Sequence, residues 1–225
     1  MKKRQSRDNG NLNFIIYSVP METIMHEKYL LILFYSATGA VKNLAHAIAD
    51  GAEKQGLKIK IRTVPKVSAN HESIESELPD SGEVYCSKKD LINCSALALG
   101  SPTRFGSMAA PMKYFLDSTG DLWANHELEG KPGCVFTSTG SMHGGQEITL
   151  FNLMTYLLHQ GMIFVGTPYS IAALNETKAG GTPYGPSHVA NVNHSIELSP
   201  HEYQVAYSTG SRVAKIIKNM VNHGS

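Results

Sequence analysis

One segment, residues 30–41 with the sequence LLILFYSATGAV, constrains the fold more than any other. A short continuous apolar run is typical of a strand buried in a parallel sheet, and the chain leaving its carboxyl end must turn sharply into a helix. Ser36, Thr38 and Gly39 suit that turn, because glycine tolerates a tight backbone and hydroxyls donate to anions. Free amides at the start of the following helix would point at the same anion. The segment therefore predicts a strand, a phosphate-binding turn and a helix in succession.

The residues after the turn support the helix. Apolar side chains repeat at the three-and-four spacing of a one-sided helix, namely Val41, Leu44, Ala45, Ile48, Ala49 and Ala52, and Gly56 is placed to follow its end. The segment by itself leaves an ordinary α/β turn open as the alternative, since many open sheets place small residues there. The sequence contains neither a Walker A motif nor GxGxxG, which disfavours a nucleoside triphosphate or a Rossmann-bound dinucleotide.

Length, charge and cysteine content limit the class of protein. The 225 residues suit a single α/β domain, predicted over 29–225 and preceded by an extension at 1–28. A formal net charge of +1 gives no basic excess for binding nucleic acid. Cys86, Cys94 and Cys134 lack a CxxC spacing and predict reduced thiols in a cytoplasm. The histidines form no HExxH motif, so no metal site is predicted, and no run approaches the roughly 20 apolar residues of a membrane span.

Strand and helix patterns alternate along the rest of the chain. Further strands are predicted at 58–64, 91–99, 131–137 and 162–165, with helices around 108–116, up to about 159 and over 203–221. The polar stretch 68–89 predicts a long exposed connection or a partly helical insert. This rhythm predicts a doubly wound, five-stranded parallel sheet with helices on both faces and a ligand site at the carboxyl ends of its strands. Three loops rich in Gly, Ser and Thr meet those ends: 36–41, 102–106 and 138–146.

Five motifs give this pattern a specific resemblance. They are GSPTRFGSM at 100–108, FLDSTGDLW at 115–123, STGSMHGGQE at 138–147, HQGM at 159–162 and GGTPYG at 180–185. Together they resemble the WrbA family of FMN-dependent NAD(P)H:quinone oxidoreductases, which has a flavodoxin-like fold. The resemblance implies FMN as cofactor, NADH or NADPH as hydride donor, two-electron reduction of a quinone, and a homotetramer.

The resemblance assigns the three loops to FMN. The phosphate is expected at Ser36, Ala37, Thr38, Gly39, Ala40 and Val41. One side of the ring is expected against Pro102, Thr103, Arg104, Phe105 and Gly106. The other side is expected against Ser138, Thr139, Gly140, Ser141, Met142, His143, Gly144 and Gly145. The Arg104 guanidinium and backbone amides would face the pyrimidine edge, and glycines would let amides approach the ring closely.

Three further residues are implied outside or beside the loops. His159 is expected to be catalytic, near the flavin and the bound nicotinamide, with an ordinary helix-end histidine as the alternative. Trp123 is expected over an active site, often that of a neighbouring subunit, with core packing as the alternative. Tyr169 is expected to complete the rim together with 180–185. Substrate contacts are expected from Thr38, Trp123 and Tyr169; many family members carry an aromatic residue where Thr38 stands.

A second class of protein fits the same fold. A flavodoxin-type electron carrier binds protein partners and catalyses nothing by itself. Carriers of that sort are usually strongly acidic around the flavin, whereas residues 138–146 contain no Asp or Glu. A flavin-free interaction module is a third reading, to which the near-neutral charge gives no positive support.

Overall fold

The computed structural model describes residues 27–67, 82–191 and 195–222. Its elements, in chain order, are β1 (Tyr29–Phe34), α1 (Ala40–Glu53), β2 (Lys58–Thr63), α2 (Lys88–Asn93), β3 (Ala96–Arg104), β4 (Ser107–Met108), α3 (Ala110–Asp117), α4 (Gly120–Ala124), β5 (Pro132–Thr139), α5 (Gln146–His159), β6 (Ile163–Phe164), α6 (Ala172–Glu176), β7 (Ser187–Val189) and α7 (Pro200–Asn222). Most of the expected extension at 1–28, and the 68–81 part of the predicted connection, lie outside the described residues. No helix in the described ranges is long and apolar enough to cross a membrane.

The strands form one sheet in the order β2-β1-β3-β5-β6, with parallel neighbours throughout. Near the start of β5, β6 pairs with Pro132 and Gly133, while β7 pairs in parallel with residues 137–139 at its end. Both lie on the edge of β5 opposite β3. The predicted doubly wound parallel sheet is confirmed, but the predicted count of five strands is wrong. There are seven described strands, because β4 returns antiparallel to β3 and the fifth position is shared by β6 and β7.

Helices cover both faces of the sheet, as predicted. Alternate residues of β1 point to opposite faces: Leu30 and Ile32 pack in the cluster with α1 and α7, and Leu31 and Leu33 pack in the cluster with α3 and α5. All four side chains are fully buried. This two-sided burial explains why the strand is a continuous apolar run rather than an alternating one.

Helices α1 and α7 cross at two glycines. A Cβ at Gly51 would lie 1.9 Å from the Tyr207 carbonyl oxygen, and a Cβ at Gly210 would lie 1.9 Å from the Ile48 carbonyl oxygen. The two backbones therefore touch where neither helix has a side chain. This crossing holds the N-terminal half of α7 against α1.

The third strand begins later than predicted. Ser87 forms a capping box at the start of α2: its Oγ accepts from the Asp90 amide, and the Asp90 carboxylate accepts from the Ser87 amide. This cap keeps residues 91–93 helical, so the prediction of a strand from 91 is wrong at its start. The strand also continues to Arg104, so residues 102–104 of the predicted loop 102–106 belong to β3.

Two more boundaries differ from the prediction. Only Ile163–Phe164 of the predicted strand 162–165 is assigned to the sheet as β6, and β7 was not predicted. The last helix begins at Pro200 instead of 203, because proline suits the first helical turn and Ser199 and Glu202 bond to each other's amides. Met108, predicted in a helix, lies in β4.

Candidate functional site

The carboxyl ends of β1, β3 and β5 bring the three predicted loops to one edge of the sheet. Phe34 pairs with Gly100, and Pro102 pairs with Ser138, so the three strands end side by side. The Tyr35 amide continues the ladder by donating to the Gly100 carbonyl at 3.1 Å. This edge is where open α/β sheets bind ligands.

The turn between β1 and α1 gathers amide donors around one point. Gly39 has φ 113°, a left-handed conformation that a side chain rarely adopts. This geometry lets Ser36 Oγ accept from the amides of Gly39 at 3.1 Å and Lys42 at 3.4 Å. The Ser36 hydroxyl oxygen therefore lies at the N-terminus of α1 and accepts from two amides there.

The first turn of α1 adds more donors to this point. The amides of Ala40 and Val41 have no intrahelical acceptor, because a helix leaves its first N–H groups unpaired. Ala37 and Thr38, which precede them, are exposed. Unpaired amides and the positive end of a 14-residue helix together attract an anion.

The second loop is the tip of a β-hairpin. Arg104 pairs with Ser107, and the two residues between them, Phe105 and Gly106, have φ 53° and 80°. Two positive φ values make a tight turn that favours Asn, Asp or Gly, so phenylalanine at the first of them costs energy, of order 1–3 kcal/mol. The Phe105 ring is nevertheless fully exposed. Strain that gains no internal packing is typical of a binding site.

Helix α5 holds this hairpin in place. The hydroxyls of Thr149 and Thr103 are hydrogen-bonded to each other at 2.9 Å, and the Ser107 hydroxyl donates to Asn152 Oδ1 at 3.0 Å. The Gly106 amide donates to Thr103 Oγ1 at 3.2 Å. Thr149 and Asn152 are supporting residues that the sequence analysis missed, and no sequence pattern distinguishes them from the other polar residues of α5.

The third loop, residues 138–145, is fixed by its own hydrogen bonds. Thr139 Oγ1 donates to the Ser141 carbonyl at 2.8 Å, and the Gln146 side chain donates to the Met142 carbonyl at 2.9 Å. A Cβ at Gly144 would lie 2.9 Å from the Ser141 carbonyl oxygen, so only glycine allows this fold of the loop.

The second and third loops touch each other. Gly145 has φ 91°, and a Cβ there would lie 3.3 Å from the Gly106 Cα. Ser138 and Thr139 are buried at the end of β5, whereas the segment from Gly140 to His143 is exposed. The hairpin tip and this glycine-rich segment therefore form one surface.

Positive charge at this surface lacks a counterion. Arg104 is exposed, and its Nη1 donates to the Thr103 carbonyl at 2.8 Å. It forms no ion pair with any described acidic residue. Because the third loop carries no carboxylate, the guanidinium is available to a ligand.

His159 does not join this group within one chain. It ends α5, whereas the third loop precedes the start of α5. A 14-residue helix is about 20 Å long, so His159 cannot border a ligand held by the loops of its own chain. Its predicted catalytic and cofactor-binding role requires the site of another copy and stays a prediction.

Trp123 and Tyr169 are also apart from the loops. Trp123 lies on α4 and is 56% exposed, so core packing does not explain it. Tyr169 lies between β6 and α6, is exposed, and accepts from Asn175 through its carbonyl. Among the described residues, no hydrogen bond, ion pair or ring contact joins either side chain to the three loops.

A family model described as NADPH-dependent FMN reductase matches residues 30–176. This range is well over half of the chain and contains all three loops. The chain belongs to the NADPH-dependent FMN reductase family. FMN is accordingly its cofactor, and NAD(P)H its electron donor.

Solved structures with the same fold include flavodoxin-like proteins from several organisms. A flavodoxin, WrbA-like protein from Agrobacterium tumefaciens is 19% identical with a TM-score of 0.61, covering 86% of this chain and 98% of its own. A flavodoxin from the domain Archaea is 20% identical with a TM-score of 0.56, covering 85% and 99%. Flavodoxin 2 from Bacillus cereus is 14% identical with a TM-score of 0.51, covering 85% and 99%. At these identities the likeness establishes the fold alone.

The residues at this edge fit FMN. The unpaired amides at the start of α1 suit a phosphate, and the backbone at Gly140, where an added Cβ would meet no atom within 4 Å, is open to a planar ring. The exposed Phe105 ring and the Arg104 guanidinium offer an apolar surface and a cation beside each other. The three loops therefore present groups whose chemistry matches the phosphate and the ring of the cofactor.

Proposed function

We propose that this chain is an FMN-dependent NAD(P)H:quinone oxidoreductase of the WrbA type. The observation that carries the proposal is the charge at the site: Arg104 is an unpaired cation, and residues 138–145 contain no carboxylate. A carrier that surrounds its flavin with acidic residues disfavours the anionic reduced ring and makes its reduction difficult. This site favours that anion, which suits repeated reduction by a nicotinamide nucleotide.

Each group at the site has a distinct task in this proposal. FMN supplies the redox chemistry, accepting a hydride and delivering two electrons to the quinone. The unpaired amides of Ala40 and Val41 bind the phosphate and fix the position of the cofactor. The Arg104 guanidinium and the amides of 138–145 stabilise negative charge at the pyrimidine side of the ring. Phe105 provides an apolar surface next to the ring.

We also assign the outer face of α5 to a second copy of the chain. Ile148, Phe151 and Leu158 are exposed at helical spacing, with 58% and 53% exposure for the first and last. Exposed apolar side chains that share one side of a helix are typical of a protein–protein contact. A homotetramer would cover this face. A neighbouring copy would then bring its Trp123 and His159 to the FMN site, which these two side chains do not reach within their own chain.

The second candidate is a flavodoxin-type carrier, which the flavodoxins among its structural neighbours favour. The two functions differ in what they need. A reductase oxidises NAD(P)H with FMN and a quinone as the only additions, whereas a carrier requires a separate reductase protein. The three buried, unpaired cysteines favour a reducing cytoplasm for either function.

Steady-state oxidation of NADH and NADPH with benzoquinone, with and without FMN, tests the proposal. We expect FMN-dependent turnover that continues over many cycles. Arg104→Ala should weaken FMN binding about tenfold, the loss expected for a hydrogen bond to a charged group. Lys113→Ala, an exposed cation on α3, is the matched control. A protein that binds FMN but turns over only with an added reductase contradicts the proposal.

A further inference from the structure

A buried ion pair lies beside the third loop. His188 on β7 pairs with Ser138 across the sheet, and its Nδ1 lies 3.1 Å from Glu202 Oε2. The other ring nitrogen, Nε2, lies 2.9 Å from the Ser195 carbonyl oxygen. The side chains of His188 and Glu202 are only 2% and 1% exposed. Neither residue belongs to the site described above.

The surroundings of His188 require its charged form. A carboxylate and a carbonyl oxygen can only accept hydrogen bonds, so both ring nitrogens must donate. Burial lowers the pKa of His188, but its hydrogen bonds to Glu202 and the Ser195 carbonyl outweigh burial and raise the pKa above its ordinary value. Glu202 also accepts from the amides of Ser199 at 2.8 Å and Val189 at 3.0 Å.

The imidazolium holds a segment that lies against the phosphate turn. Next to Ser195, the Ile196 carbonyl accepts from Asn43 Nδ2 at 2.7 Å. Ile196 Cδ1 lies 3.5 Å from the point where a Cβ of Gly39 would be. Two donors, one from β7 and one from the first turn of α1, therefore fix residues 195–196 over the glycine that gathers the amides.

We infer that His188 is a positioning residue for the FMN phosphate: its charged ring holds residues 195–196 against Gly39 and so keeps the turn in its anion-binding shape. The inference rests on the proposed FMN site but not on the quinone. Loss of the proton would leave a bare nitrogen facing the Ser195 carbonyl, because the neutral ring keeps its proton toward the stronger acceptor, the carboxylate. The segment would then lose one of its two donors.

Among the described residues, Glu202 is the one ionisable side chain that forms a hydrogen bond or ion pair with His188. On α1, which packs against β7, Lys42 and His46 face Glu83. Asp50 accepts from the Tyr203 hydroxyl.

The remaining charged groups nearby also face away. Glu197 is exposed beyond Ser195, and on α7 His201 pairs with Glu176. Hydrogen bonds to Glu202, from His188 among others, keep its pKa at about 2 despite burial, so it stays ionised over the working range. Affinity for FMN should therefore fall as the pH rises through the raised pKa of His188, since that is where the donor is lost.

Dissociation constants of FMN and riboflavin, measured by flavin fluorescence from pH 6 to 9, test this inference. We expect His188→Gln to weaken FMN about tenfold at pH 6.5 and to leave riboflavin, which lacks the phosphate, within about twofold. The wild-type advantage over the variant should shrink as the pH rises. Titration of the FMN phosphate itself affects both proteins equally, so it cancels in the ratio of the two dissociation constants. His201→Gln, an equal change at an exposed histidine, should behave as wild type.

Two outcomes overturn the inference. One is an unchanged FMN constant in folded His188→Gln, and the other is an equal loss for FMN and riboflavin, which indicates a structural role alone. Should this variant not fold, Asn43→Ala removes the second, exposed donor and should weaken FMN about threefold; no change there also overturns the inference. Failure of the wild type to bind FMN would instead refute the site itself.

Discussion

Helices α1 and α5 begin alike and end in different surroundings. Both have 14 residues, follow a central strand and start at a left-handed glycine, Gly39 or Gly145. Helix α1 is then covered by α7 along its outer side, whereas α5 leaves an apolar face exposed. Helix α1 thus completes the core of its own chain, whereas in our proposal α5 provides a surface for another copy and the two glycine turns bind opposite ends of the cofactor.

The largest expected effect is at the contact between α1 and α7. Gly51→Ala would place a Cβ 1.9 Å from the Tyr207 carbonyl oxygen, so the helices must separate. We expect a loss of about 3 kcal/mol in the free energy of unfolding, the upper range for overpacking. Urea denaturation measures it. Gly120→Ala, where no atom lies within 4 Å of the added Cβ, is the control and should not destabilise the protein. Equal stability of both variants would mean that α7 does not cover α1 closely.

The exposed face of α5 gives the next effect. Leu158→Asp places a charge within the proposed contact and should weaken self-association about a hundredfold, or roughly 2.7 kcal/mol. Light scattering over a dilution series measures the change in mass. Asn219→Asp, an equal change of charge on exposed α7, should leave the mass unchanged. A monomeric wild type would show that this face serves some other purpose.

The two glycines can be separated by their ligands. Gly39→Ala should weaken FMN about tenfold and riboflavin little, because a left-handed alanine costs about 1–2 kcal/mol at the phosphate end alone. Gly145→Ala adds a Cβ 3.3 Å from the Gly106 Cα and should weaken both flavins. Fluorescence titration of each variant with both ligands distinguishes them. If both variants weakened FMN and riboflavin to the same extent, Gly39 could not be assigned to the phosphate and Gly145 to the ring.

The smallest effect concerns the hydroxyl at the start of α1. Ser36→Ala removes the acceptor for two amides and should lower the stability of the flavin-free protein by about 1 kcal/mol, as for loss of a helix cap. The Ser141 hydroxyl, in the loop before α5, forms no hydrogen bond with the described residues, so Ser141→Ala should change stability by less than about 0.5 kcal/mol. Thermal unfolding compares the pair. A larger loss of stability in Ser141→Ala than in Ser36→Ala would contradict the prediction that the hydroxyl matters more in the turn before α1.

The central part of the fold could be predicted from the sequence because a strand that is buried on both faces is a continuous apolar run. The apolar run before Ser36 and the one-sided helix after it gave α1 and the strand preceding it nearly to the residue. The elements that the prediction placed wrongly depend on side-chain bonds or distant pairing. Helix α2 needs the Ser87–Asp90 cap, which interrupts an otherwise strand-like apolar pattern. The short β7 exists only because it pairs with the end of β5.

The site shows the same limit. The three loops could be predicted because they are rich in glycine and hydroxyl residues. The left-handed conformation of Phe105 could not, since nothing in the local sequence predicts a strained, exposed ring. His188 gave no pattern at all, although the spacing of Ser199 and Glu202 is that of a capping box. Separation along a helix is simpler to compute, and the 14 residues of α5 alone place His159 far from the third loop.

The interrupted fifth position has a consequence for the solubility of the sheet. A long, uniform edge strand exposes a row of peptide groups on which another chain can add by backbone pairing, the first step toward aggregation. On this side the edge consists of pieces of two and three residues, too short to template such growth. On the opposite side β2 carries Lys58, Lys60 and Arg62, ion-paired with Glu27 and Asp90, and these charged groups would lose water if another strand were added. The protein thus protects its two edges by different means, one through discontinuity and the other through charged side chains.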